Sequence, residues 1–188
     1  MDNKQFVVAA RTYLYLAPVG TVAPTTVGAP ETPWRNVGFT TPDNCQFATE
    51  PQFTDIMSAQ SDYKTGRIQT GDAAKLAIVL QQWNSDNFKA VFGGGTVTEV
   101  GATTPKVYKF VPPRLGAREE VAAVLRTVYG AKEYLFICAK TFQGEGVTLD
   151  LNKTQEARLP LSLEVLGGDS SDAWYMISND PAMAPVAP

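Results

Sequence analysis

The chain has 188 residues, 44% of them hydrophobic and 19% charged, with 16 Lys+Arg against 19 Asp+Glu, two Cys and no His. At this size folding removes roughly 70% of the unfolded surface from water, so one soluble globular domain over residues 1–188 can build a core without disulfide or metal staples. The missing imidazole excludes Ser-His-Asp and Cys-His nucleophile pairs and HExxH metal sites. Two distant cysteines, Cys45 and Cys138, cannot form a CxxC knuckle or dithiol centre, and they point to a reducing compartment.

Residues 1–10 read as a flexible arm. Their apolar patch, Phe6 to Ala10, is broken by Arg11 and is too short for a signal-peptide core or a membrane span, so no export or membrane segment is expected. Arg11 to Ala17 alternates Tyr13 and Tyr15 with Leu14 and Leu16, a strand with both faces apolar. The stretch 18–33, rich in Pro, Gly and Thr, is a loop. Cys45 to Thr49 and Gln52 to Met57 read as two short strands separated by Pro51. The polar run 58–71 is expected to be a long exposed loop, and loops of that length in compact domains are often functional.

Leu76, Ile78 and Leu80 alternate with smaller or polar residues up to Trp83, which predicts a strand. A short helix follows, capped by Ser85, with Phe88, Val91 and Phe92 on the face that must pack on the sheet and Gly93 to Gly95 ending it. Glu119 to Tyr129 fits both helix and strand templates. The hairpin reading is preferred, because Gly130 to Lys132 can turn the chain into a strong strand from Tyr134 to Phe142. Val147 to Leu151 and Leu159 to Leu166 complete the set, Pro160 confining the start of the last strand to an edge or a bulge. Residues 179–188, with Pro181, Pro185 and Pro188, read as a flexible tail.

Charge is evenly mixed until Arg158; beyond it Glu164, Asp169, Asp172 and Asp180 meet no Lys or Arg. There is no basic stripe of the kind that neutralises phosphates. Ser61-Asp62-Tyr63-Lys64, Lys64-Thr65-Gly66 and Ser85-Asp86-Asn87 spell the three signatures of penicillin-recognising serine enzymes, but one lysine cannot serve two motifs that lie on separate elements. Gly93-Gly94-Gly95 follows a helix instead of opening one, so it lacks phosphate-binding geometry. Glu119 and Glu120 are adjacent and point to opposite faces of a strand, so they cannot form an acid and base pair. Trp34, Trp83 and Trp174 are too dispersed for a stacking platform and read as core or interface anchors. No catalytic residue, metal ligand or cofactor site emerges, and the chain is read as a non-enzyme.

Three segments carry a family resemblance: Tyr15 to Pro24 (YLAPVGTVAP), Pro33 to Thr41 (PWRNVGFTT) and Thr154 to Gly168 (TQEARLPLSLEVLGG). In this order they resemble the major tail (tail tube) proteins of long-tailed, siphovirus-type phages of actinobacteria. The resemblance implies a mostly β fold, a β-sandwich or open barrel with one short flanking helix. It also implies six copies closing a ring, and rings stacking into the tube that conducts the genome into the host. Implied partners are further copies of the chain, a tape-measure protein, tail terminator and tail-tip proteins, and double-stranded DNA in non-specific passage, with no membrane. The implied location is the virion tail, assembled in the host cytoplasm. Within that picture Asp62, Tyr63, Lys64 and Arg67 are candidates for contacts between rings, and Ser162 and Glu164 for the lumen. A non-polymerising β-sandwich decoration or adhesion module is the competing reading, since it would share the strands and the lack of reactive chemistry.

Overall fold

Four strands of this chain are covered on both faces, and the rest of the molecule is arranged around them. The computed structural model describes residues 11–101, 104–149, 151, 153, 156–167 and 172–185. The covered strands are β1 (Arg11–Pro18), β7 (Glu120–Tyr129), β8 (Lys132–Gln143) and β10 (Trp174–Ser178). All neighbours pair antiparallel: β1 with β7, β7 with β8, and β8 with β10. Because side chains alternate along a strand, one face supplies Leu14, Leu16, Ala123, Leu125 and Cys138 to a first core. The opposite face supplies Tyr15, Ala17, Ala122, Val124, Leu135 and Ile137 to a second. The ambiguous segment 119–129 is thus a strand: its Ala, Val and Leu residues are buried on both sides, which gives it a two-sided apolar pattern that a helix template also fits.

The other edge of β8 is shared. Tyr134 to Cys138 pair with β10, and Thr141 to Gln143 pair with β9 (Leu159–Val165), so the sheet branches there. From β9 it continues to β4 (Gly66–Leu80) and ends on β3 (Thr40–Ile56); at its far side β1 carries the two-residue β2 (Arg35–Asn36). Leu76, Ile78, Leu80, Leu159, Leu161 and Leu163 from this second branch close the first core, each at most 1% exposed. Burial of that kind stabilises by roughly 1.5–3 kcal/mol per side chain. Pro160 sits on the half of β9 that pairs with β4 alone, where no second ladder asks for its missing N–H.

The loop after β1 lies over the second core. Trp34 is buried and donates its indole N–H to the Val22 carbonyl at 3.1 Å, and Ala23 and Val27 pack on the same cluster. Helix α1 (Ser85–Phe92) plugs the first core with Val91. Its cap is Asn84 and not Ser85, since the Asn84 carboxamide reaches the Asn87 N–H at 2.8 Å. Gly93 ends it in the left-handed conformation, at φ +73°. Asn87, fully buried, donates to the Val37 and Gln82 carbonyls at 2.8 and 3.0 Å and accepts from Arg35 at 2.9 Å. One carboxamide therefore ties the helix to two neighbouring segments.

Several expectations are corrected. The two short strands at 45–57 are one long strand with register shifts, because Pro51 falls on the sheet's outer edge and costs no ladder bond. Strand β4 already begins at Gly66, so the polar run 66–71 is paired backbone and only 58–65 is loop; its polarity reflects exposure on both faces. Val147 to Leu149 form no strand, although Val147 and Leu149 do pack on the first core. Hairpin β5 (Thr96–Val100) with β6 (Val107–Val111) and strand β10 are elements that the sequence reading leaves out. The tail expected from 179 is anchored at its start. Asp180 is buried, accepts from the Tyr134 hydroxyl, from Lys132 at 2.9 Å and from the Ala182 N–H at 3.0 Å, and Asn179 accepts from the Glu133 N–H at 2.8 Å. The arm at residues 1–10 lies outside the described residues.

Two measurements check these anchors. Asn87→Ala strands the buried Val37 carbonyl and the part-buried Gln82 carbonyl and should lower unfolding stability by about 3 kcal/mol in urea titration. The Tyr134 hydroxyl, with Lys132 and the Ala182 N–H, holds the Asp180 carboxyl down to about 2 from its ordinary 3.8. This contribution is therefore full above pH 4 and is lost as pH falls through 2. Stability measured across that window should drop in the parent chain, and Asp180→Asn should lack that step.

Candidate functional site

The longest feature outside the core is the hairpin of β3 and β4. Its backbone pairs from Gln46 with Ala77 out to Ile56 with Gly66. Thr70 is an extra residue in β4 between Gly71, opposite Gln52, and Gln69, opposite Phe53. That bulge reverses the facing of the side chains beyond it. No residue from Thr49 to Ala73 is buried, so the outer hairpin projects roughly 25 Å as a two-stranded ribbon with no core of its own. Phe53, Ile56, Met57, Tyr63 and Ile68 are all exposed on it, Tyr63 at 83%.

The four candidates for contacts between rings fall on this projection. Asp62, Tyr63 and Lys64 occupy the tip loop, and Arg67 lies on β4 just past it. Lys64 and Arg67 converge on Asp55, Arg67 Nε at 3.0 Å, and the Arg67 guanidinium lies 4.8 Å over the Phe53 ring. The Lys64 hydrogen bond, with both cations nearby, holds the Asp55 carboxyl below its ordinary range. The Ser61 hydroxyl accepts from the Tyr63 N–H at 3.2 Å, and Thr65 donates its N–H to the Ile56 carbonyl at 2.9 Å, so the tip carries its own turn bonds. Ser61 and Lys64 are thus engaged with different partners, and Asn87 is buried in the body of the fold. The serine-enzyme signatures do not assemble into one constellation.

The lumen candidates lie on the outward face of the β9–β4–β3 branch, where Glu164 stands opposite Lys75 and Ser162 opposite Ala77. Glu164 is exposed. Ser162 is buried, its N–H donating to the Gln143 side chain at 2.9 Å, so its hydroxyl does not reach the surface of the chain and Glu164 is the surface member of the pair. The rest of this face mixes polar and small residues, Gln46, Ala48, Glu50 and Gln52 on β3 with Ala73 and Ala77 on β4, and Val79 stands opposite Pro160 toward its end. It differs from the opposite face, where Phe47, Leu76, Ile78, Leu161, Leu163 and the Cys45 thiol pack on the first core.

Two concavities flank α1. A groove of about 700 Å³ runs between the helix and the ends of β1 and β7, with Arg35, Asp86, Lys89 and Glu119 on its walls. Burial lowers the Arg35 pKa, and the nearby Asp86 charge opposes that shift. A second recess, about 510 Å³, is walled by Trp83, Phe88, Val97, Tyr108 and Phe110; here the β5–β6 hairpin leans on the helix through edge and tilted contacts of Phe110 with Phe88 and Phe92. Sequence periodicity in Thr96 to Val100 and Val107 to Val111, rich in β-branched residues, is the signal that would have revealed this hairpin. Among the described residues no three Cys, Asp or Glu side chains converge as a metal site.

Since the hairpin tip holds none of the core, Asp55→Asn should shift global stability by less than about 1 kcal/mol in urea titration. Amide exchange from Ile56 to Thr65 should speed up, because Lys64 and Arg67 lose their shared partner.

The family model for "Phage tail tube protein" matches residues 1–188. No curated protein sequence matches the chain.

Proposed function

The chain belongs to the phage tail tube protein family and is a structural protein of the virion tail; from that premise we propose that six copies close into a ring and that rings stack into the conduit for the genome. The observation that carries this reading is the β3–β4 projection. A ribbon that exposes Phe53, Ile56, Met57, Tyr63 and Ile68 with no core beneath it is marginal in isolation and gains stability when a second copy covers it. The outer edge of β3 supports the same reading, since it offers 17 residues, about 55 Å, of backbone with no further strand beside it among the described residues. Pairing along that edge joins neighbours within a ring. Asp62, Tyr63, Lys64 and Arg67 at the tip make the contact between rings, a head-to-tail association of the kind that propagates without closing.

In this arrangement the outward face of β9, β4 and β3, with Glu164, lines the lumen, and duplex DNA passes it without base-specific contact. Tape-measure, terminator and tip proteins are the further partners, and assembly takes place in the host cytoplasm before the tail joins the virion. Residues 1–188 act as one tail-tube domain.

Deleting Asp62 to Gly66 should abolish tube growth seen by electron microscopy while circular dichroism and the urea midpoint stay near those of the parent chain. Normal tubes from the deletion would refute the tip contact. A parent chain that remains a discrete particle at high concentration, even with a tail-tip nucleus added, would overturn ring stacking.

A further inference from the structure

The same outward face carries a row of charges across five strands. Glu120 on β7 stands opposite Phe142 on β8, Phe142 opposite Glu164 on β9, and Glu164 opposite Lys75 on β4. Lys140 of β8 bonds Glu120 at 2.9 Å, which puts its ammonium in the same row. Lys75 bonds Glu145, from the segment after β8, and also feels Glu164 and Glu50 of β3. The four carboxylates of Glu50, Glu120, Glu145 and Glu164 outnumber the two ammonium groups.

Neither lysine is buried: their side chains are 36% and 38% exposed, so both have the reach to touch a solute passing over the sheet. Pairs this exposed add little to folding stability. Their effect is on availability. A lysine that meets a phosphate displaces condensed counterions and steepens the fall of log K with log salt by about 0.9, but only if its own carboxylate first lets go.

Resting on the lumen assignment above, we infer that Glu145 and Glu120 act as masks, holding Lys75 and Lys140 so that this face offers no free cation to the phosphates of duplex DNA. The partner is double-helical DNA in transit, and the masks keep it from being retained. Because every subunit repeats the row, one unmasked lysine per chain becomes a ring of phosphate sites in the assembled tube.

The test uses the full-length subunit and a fluorescent 20-base-pair duplex, with anisotropy read at several salt concentrations. The parent chain should bind negligibly at low salt. Glu120→Gln with Glu145→Gln should gain at least about tenfold in affinity, with a log–log salt slope steeper by about 0.9 for each lysine engaged. Adding Lys75→Gln and Lys140→Gln should erase the gain. No gain in the double Gln variant, when circular dichroism shows it folded, overturns the inference, as does a parent chain whose own binding depends on Lys75. The lumen assignment fails separately: Ala48→Cys, on the same face, should react with a bulky polymer maleimide in the free subunit and be protected in assembled tubes. Reaction in the tubes would sink that assignment whatever the anisotropy reads.

Discussion

Burial on both faces of β1, β7, β8 and β10 is the constraint from which the remaining architecture follows. A sheet with two apolar faces needs two covers. One is the opposing β9–β4–β3 branch with α1, and the other is the irregular segment between β1 and β2, pinned by the Trp34 hydrogen bond. Strand β8 makes this possible by changing partners between Cys138 and Thr141, so that one continuous backbone belongs to both branches. With the body closed in this way, the outer half of the β3–β4 hairpin is left with nothing to pack on.

That division separates stability from assembly. Core leucines and the Asn87 network hold the fold, while the hairpin keeps Phe53, Ile56, Met57, Tyr63 and Ile68 exposed together on one projection. The cluster of Lys64, Arg67 and Asp55, with Arg67 over Phe53, stiffens the projection locally at little energetic consequence. The proposed assembly uses this combination: a body held by its own core and a projection left for neighbouring copies to cover. The outward face of β3, β4 and β9 adds a third surface, the one proposed above as the wall of the lumen.

Strand periodicity, the helix at Ser85–Phe92 and the hairpin turn at Gly130 were all legible in the residues, because each depends on neighbours a few positions apart. So was the two-faced character of β1, written in Tyr13 to Leu16. Pairing of 66–71 was hidden because exposed strands on both faces look like loop, and the Val147 to Leu149 run misled because apolar residues can plug a core without joining a ladder. Sequence alternation put Ser162 and Glu164 on one face correctly, yet only the packing of Gln143 against β9 decided that one is buried and the other exposed. The row from Glu120 to Glu50 unites residues separated by up to 114 positions in the chain. Local patterning depends on dihedral preference and side-chain period, which a linear sequence carries. Which strands lie side by side, and which charges therefore neutralise one another, is settled by long-range pairing, which no local period encodes.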